Sequence, residues 1–153
     1  MTETATINQK TAEVLTSVYK NVRMASDSIL NLMPKVKNEQ LKSEMTTQLS
    51  VFDAFASRAA KLLGEEGIKP EQEGMMTRMG AKWGAMMNTM RDSTATHLAE
   101  MLVEGATMGV NDMLRVLREA ENTSASEASL KLARDVCEYE EKLVEEMRAN
   151  FLR

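Results

Sequence analysis

Residues 74–90 read GMMTRMGAKWGAMMNTM and carry six of the chain's fourteen methionines together with its one tryptophan. At ~100° per residue on a helical wheel, Met75, Met86, Met79, Met90, Trp83, Met76 and Met87 fall within an arc of roughly 120°. Gly80 and Gly84 border that arc, and Arg78, Lys82, Asn88 and Thr89 fill the remainder. The spacing predicts an amphipathic helix over about 71–91, with a thioether and indole face that has nothing of its own to lie against. What flanks this segment decides the fold.

On its N-terminal side, Leu41, Met45, Gln48, Phe52, Phe55, Ala59 and Leu62 repeat as an apolar seam broken only by Gln48, with Leu49, Ala56 and Leu63 beside it. This is a helix over about 39–66, with Asn38 as its N-cap. Its end carries a stop signal: Gly67 can take the left-handed position past the last turn, Ile68 can fold back on Leu63, and Pro70 blocks continuation. Glu71 and Glu73 then place negative charge at the start of the Met-rich segment, where the helix dipole favours it. Further upstream, Ile7, Val14, Leu15, Val18, Val22, Ile29 and Leu32 predict a helix over about 7–33, opened by Thr6 with Gln9 as a capping box and ended by Pro34.

On the C-terminal side, Asp92 or Ser93 restarts the chain, and Leu98, Met101, Leu102, Gly105, Ala106, Gly109, Met113, Val116 and Leu117 mark the inner face of a helix over about 94–121. Gly105 and Gly109 would each cost ~1 kcal/mol against Ala inside a helix, so a close backbone approach is expected there. Ser124 with Glu127 makes a capping box, and Leu130, Ala133, Val136, Cys137, Glu140, Leu143, Val144, Met147 and Phe151 predict a helix over about 125–152.

The four main helices come out at ~27 residues, or ~40 Å, each. Short connections make two antiparallel hairpins, whereas the Met-rich segment separates the second and third helices and is long enough to return the chain along the bundle. The expected architecture is one all-α domain over 1–153, a four-helix bundle of two hairpins joined by a helical crossover. Its second and third helices should run parallel. Seen this way, the Met-Trp face is the inner side of a return strut, and Trp83 should be largely buried.

Composition agrees: only seven Gly and two Pro, 43% apolar and 27% charged residues in 153, typical of a globular domain that can bury a sizeable core. A net charge of −4 with both signs interspersed leaves no basic stripe for a nucleic-acid backbone. The single cysteine, Cys137, precludes an internal disulfide and a Cys-based zinc cluster. With no signal-peptide pattern at the N-terminus and no long apolar run, a cytoplasmic protein without a membrane role is expected.

Two long hairpins joined by a crossover, together with KVKNEQLKSEM at 35–45 and LLGEEGIKPEQEG at 62–74, resemble the ferritin-like superfamily, in particular bacterial ferritin-like stress-protein families and relatives of unknown function. The resemblance implies a di-iron or di-manganese centre built from a mid-helix Glu on two helices and Glu-x-x-His on the other two. That pattern is missing. Glu13 and Asp27 lie away from the middle of the first helix, Glu44 and Asp53 are followed three residues on by Thr47 and Ala56, Glu138 by Glu141, and the sole histidine, His97, is preceded by Thr94.

Other chemistry has candidates. The Met-Trp face is read first as core filler, since Met suits irregular gaps; as a partner surface it would present Met75, Met79, Trp83, Met86 and Met90; as a soft-metal site, Met76 with Met79, or Met86 with Met90, would offer thioethers to Cu(I), joined by Cys137 or His97. Glu138, Glu140, Glu141 and Glu145, with Glu100 and Glu104 from the preceding helix, could hold a hard cation such as Fe or Mn, against the simpler reading of a solvated face with Lys142 and Arg148. Glu140 stands close to the apolar seam, where an unpaired carboxylate is expensive. No nucleophile elbow, phosphate loop or dinucleotide fingerprint occurs. The expectation is a non-enzymatic bundle of unknown function with no resident cofactor, acting by association with itself as a homo-oligomer or with a partner. The alternative is a metal-handling protein with a carboxylate or Met-based site.

Overall fold

The computed structural model describes residues 8–70 and 92–152. Within them the chain forms four long helices: α1 (Gln9–Leu32), α2 (Glu39–Glu65), α3 (Ala95–Ala120) and α4 (Glu127–Phe151). The Met-rich helix expected over 71–91, with Met75, Met76, Met79, Trp83, Met86, Met87 and Met90, lies outside the described residues.

Local chemistry sets each boundary. Asn38 caps α2 as expected, its side chain accepting from the Leu41 N–H at 2.9 Å. At the other end Gly67 has φ +77°, its N–H donates to the Gly64 carbonyl at 3.0 Å, and the Ile68 N–H reaches back to the Leu63 carbonyl at 2.9 Å. These two bonds are a complete Schellman closure, with Ile68 packed against the core. Between α1 and α2, Pro34 sits in a 3-10 turn, Met33–Lys35, that delivers the buried Val36.

Three other starts differ from expectation. The cap of α1 is Asn8, which accepts from the Thr11 N–H at 3.0 Å, rather than the Thr6 and Gln9 box. Thr94, not Asp92 or Ser93, caps α3 by accepting from the His97 N–H at 3.2 Å, while the Asp92 carboxylate accepts from the Thr94 N–H at 3.0 Å. α4 is capped by Ser126 instead of Ser124. Tertiary contacts decide this last case: the Ser126 N–H donates to Thr11 Oγ1 at 2.9 Å, and the Asn8 amide donates to the Ser124 carbonyl at 2.7 Å, so the start of α1 clamps the α3–α4 turn in an extended path. Asn122, at φ 60°, makes the turn out of α3 in a left-handed conformation that Asn tolerates.

α1 packs on α2 and α3, and α4 on α3 and α2. The short connections at 33–38 and 121–126 make α1–α2 and α3–α4 antiparallel hairpins, and the bonds of Asn8 and Thr11 to Ser124 and Ser126 set the start of α1 beside the end of α3, so α1 and α3 also run antiparallel. It follows that α2 and α3 are parallel, and the chain from Pro70 to Asp92 joins opposite ends of the bundle. This is the crossover topology read from the sequence.

The core runs the full length, from Leu15, Val18 and Leu32 through Leu41, Met45 and Phe52 to Leu98, Met113, Leu132 and Met147. One seam departs from the strict seven-residue reading: Ala56 and Leu63 are buried, whereas Phe55 and Leu62 are only partly so. A straight helix drifts ~20° per heptad, and one four-residue step in place of a three moves the stripe back onto the core. Phe55 is used instead at the α2–α4 edge, where it and Phe52 meet Tyr139 edge-on at 5.9 and 5.4 Å and Arg58 lies over its ring.

Candidate functional site

Near the middle of each helix the residue that faces the bundle axis interrupts the apolar stripe. Asn21 on α1 is flanked by Val18 and Val22, Gln48 on α2 by Met45 and Phe52, Gly109 on α3 by Ala106 and Met113, and Glu140 on α4 by Val136 and Leu143. Asn21, Gln48 and Glu140 are 9%, 4% and 2% exposed. All four line one cavity of about 570 Å³ between α1 and α3.

The absence of a side chain at Gly109 makes the arrangement possible. A Cβ there would stand 2.8 Å from Glu140 Cδ and 2.9 Å from its Oε1. The Gly109 carbonyl accepts from the Asn21 amide at 3.2 Å. The expected close approach is therefore real at Gly109, but it is made by a carboxyl side chain and an amide, not by a neighbouring backbone. Gly105 lines the same cavity one turn earlier.

Three buried oxygens have no hydrogen-bond partner among the described residues: Asn21 Oδ1, Gln48 Oε1 and Glu140 Oε1. Leaving such acceptors unpaired costs about 1–3 kcal/mol each. Burial, followed by the charge of Asp112, drives the Glu140 carboxyl well above the ordinary carboxyl range. The site therefore disfavours its ionised form. Apolar walls come from Met24, Met108, Phe52 and Leu102, and Lys20, Asp112 and Arg115 line the cavity with charge, with Asp112 paired to Arg115.

The other sequence candidates do not gather. Glu138 and Glu141 are exposed on the outer face of α4, and Glu100 and Glu104 are exposed on α3. His97, 38% exposed at its side chain, stands 4.0 Å from Glu100. Cys137 is buried, and burial followed by the charges of Glu141, Glu140 and Glu138 raises its thiol to about 11. The Met76 and Met79 thioethers lie outside the described residues, as does the partner surface proposed around Trp83. Among the described residues no three His, Cys, Asp or Glu side chains converge as metal ligands.

Sequence reading missed Asn21 altogether, noted Gln48 only as a break in its seam, and named Glu140 both as a candidate ligand for a hard cation and as an expensive carboxylate beside the seam. The available signal was a polar residue inside the apolar stripe of three helices and a glycine inside that of the fourth.

A solved structure matches the bundle along its length. Superposition on a mutant of Mycobacterium smegmatis Dps1 gives a TM-score of 0.69, with 16% identity over 95% of this chain and 99% of that one. The fold is ferritin-like. No family model matches the sequence, and no curated protein does. A ferritin-like di-metal centre takes its ligands from inward-facing carboxylates and Glu-x-x-His pairs. Here the axial positions offer one carboxyl, two amides and a glycine, with Val51 and Leu143 three residues beyond Gln48 and Glu140. That donor set does not fit a pair of metal ions.

Proposed function

We propose that this ferritin-like bundle is a non-enzymatic binding protein that holds a small molecule at its centre in place of a di-metal site. The observation that carries this reading is the set of three unpaired acceptor oxygens, on Asn21, Gln48 and Glu140, in a cavity of about 570 Å³. Small-molecule sites commonly have this build, with about 300–1,000 Å³ of mostly apolar wall and a few convergent polar groups. Denaturing extraction of the protein purified from cells, followed by mass spectrometry, should release a stoichiometric small molecule. Extraction without one, together with no thermal shift from any member of a fragment set, would return the cluster to a hydrated structural contact.

The metal-handling alternative, through Glu100, Glu104, Glu138, Glu140 and Glu141 or through Met76 and Met79, predicts stoichiometric Fe, Mn, Zn or Cu after loading, measured by elemental analysis. The single buried carboxyl among neutral amides favours none.

Homo-oligomerisation is a second reading. Leu30 and Leu114, 53% and 42% exposed on α1 and α3, are the large apolar side chains that such an interface could cover among the described residues. Light scattering during size exclusion tests it, and a single species of monomer mass would reject it.

A further inference from the structure

Among the described residues every unpaired group of the cavity is an oxygen. The amide oxygens of Asn21 and Gln48 accept, and Glu140 accepts with both oxygens once it is ionised. A ligand that satisfies them in that state brings donors only. A neutral alcohol brings one donor and an extra acceptor, and a carboxylate brings acceptors alone.

We propose that the cavity receives an organic ammonium compound, its N–H groups taken by Glu140, Asn21 and Gln48 and its hydrocarbon body laid against Met24, Met108 and Phe52. This rests on the ligand-binding reading above and narrows it to a chemical class. The volume and the thioether and phenyl walls suit an organic cation over a bare metal ion, which would leave most of the space empty and the apolar surface unused.

Binding has a proton balance. In the free protein burial and then Asp112 oppose the charge of the Glu140 carboxyl. When an ammonium group meets a protonated Glu140, its O–H bond breaks, the proton passes to solvent, and the carboxylate that remains is paired with the cation. Among the described residues, the charged groups that share the cavity are Lys20 from α1 and Asp112 and Arg115 from α3; α2 presents the neutral Gln48. One charge-assisted hydrogen bond is worth about 1.5–3 kcal/mol net, so at least about a tenfold preference for the amine over its isosteric alcohol is expected.

Calorimetric titration of the full chain with hexylammonium chloride, hexan-1-ol and sodium hexanoate tests this. The expected result is one hexylammonium site per chain, weaker binding of the alcohol by about tenfold or more, and none of the carboxylate. Repeating the amine titration at neutral pH in two buffers of different protonation enthalpy should show net proton release. In Glu140→Gln, checked as folded by circular dichroism, the preference for amine over alcohol should fall to about one and proton release should vanish. Equal affinity for hexylammonium and hexan-1-ol in the unaltered protein would overturn the ammonium assignment and leave the ligand-binding reading standing. Failure of all three probes would overturn both. Potassium chloride binding as tightly as hexylammonium would assign the site to a simple cation and also overturn the proposal.

Discussion

Gly109 on α3 and Glu140 on α4 share a space that a methyl group would fill, since a Cβ at Gly109 would stand 2.8 Å from the Glu140 carboxyl carbon. Helix propensity alone favours Gly109→Ala by ~1 kcal/mol. We expect that gain to be lost in the unaltered protein, where the carboxyl has to move, and to reappear in a Glu140→Ala background. A double-mutant cycle from urea unfolding should give a coupling of about 1–3 kcal/mol, and additivity within ~0.3 kcal/mol would show that the two residues do not meet.

Glu140 should also shape the pH dependence of stability. Burial first, and Asp112 second, raise its carboxyl in the folded state, so the native protein keeps a proton that the unfolded chain has released. The stabilisation is complete at pH below the ordinary carboxyl range and is lost as pH rises toward the raised native value. For one group the slope is up to about 1.4 kcal/mol per pH unit. Glu140→Gln should therefore gain on the unaltered protein as pH is raised from about 5 to 8, read by urea unfolding at each pH. Parallel curves for the two proteins would contradict an upward shift of the buried Glu140 carboxyl.

Gly67 closes α2 at φ +77°, with its N–H on the Gly64 carbonyl. A side chain at this angle costs roughly 1–2 kcal/mol. Gly67→Ala should lose about that much stability in denaturant unfolding, and Gly67→Asn less, because Asn tolerates the left-handed region. An Ala variant as stable as the unaltered protein would mean that α2 does not end in this closure.

Cys137 should be inert in the folded protein. Its thiol is buried, and it is raised to about 11 by that burial and then by Glu141, Glu140 and Glu138. Almost no thiolate exists at neutral pH. A disulfide reagent such as Ellman's should label it only at the rate of unfolding, and labelling should become immediate in denaturant. Rapid reaction of the native protein would place the thiol at the surface.

Much of the fold was legible because its determinants are local. Asn38 three residues before Leu41, the Gly67, Ile68 and Pro70 sequence, and apolar residues at helical spacing each act within about one turn of chain. The misread helix starts show where this stops. Ser124 and Ser126 are both competent N-caps, and Asn8 and Thr11, more than a hundred residues away, select between them.

The sequence by itself determined four amphipathic helices, the mechanism that ends α2 and, through matched lengths and one long connection, a crossover bundle. It also excluded the Glu-x-x-His pairs of a di-metal centre. Only the tertiary structure decided that Asn21 and Glu140 meet at Gly109 and that Gln48 lines the same cavity, because the depth at which one helix packs against another is set by the summed fit of distant side chains. A polar residue in one stripe reads alone as a flaw; three of them, buried and short of donors along one cavity, are what the proposed site rests on.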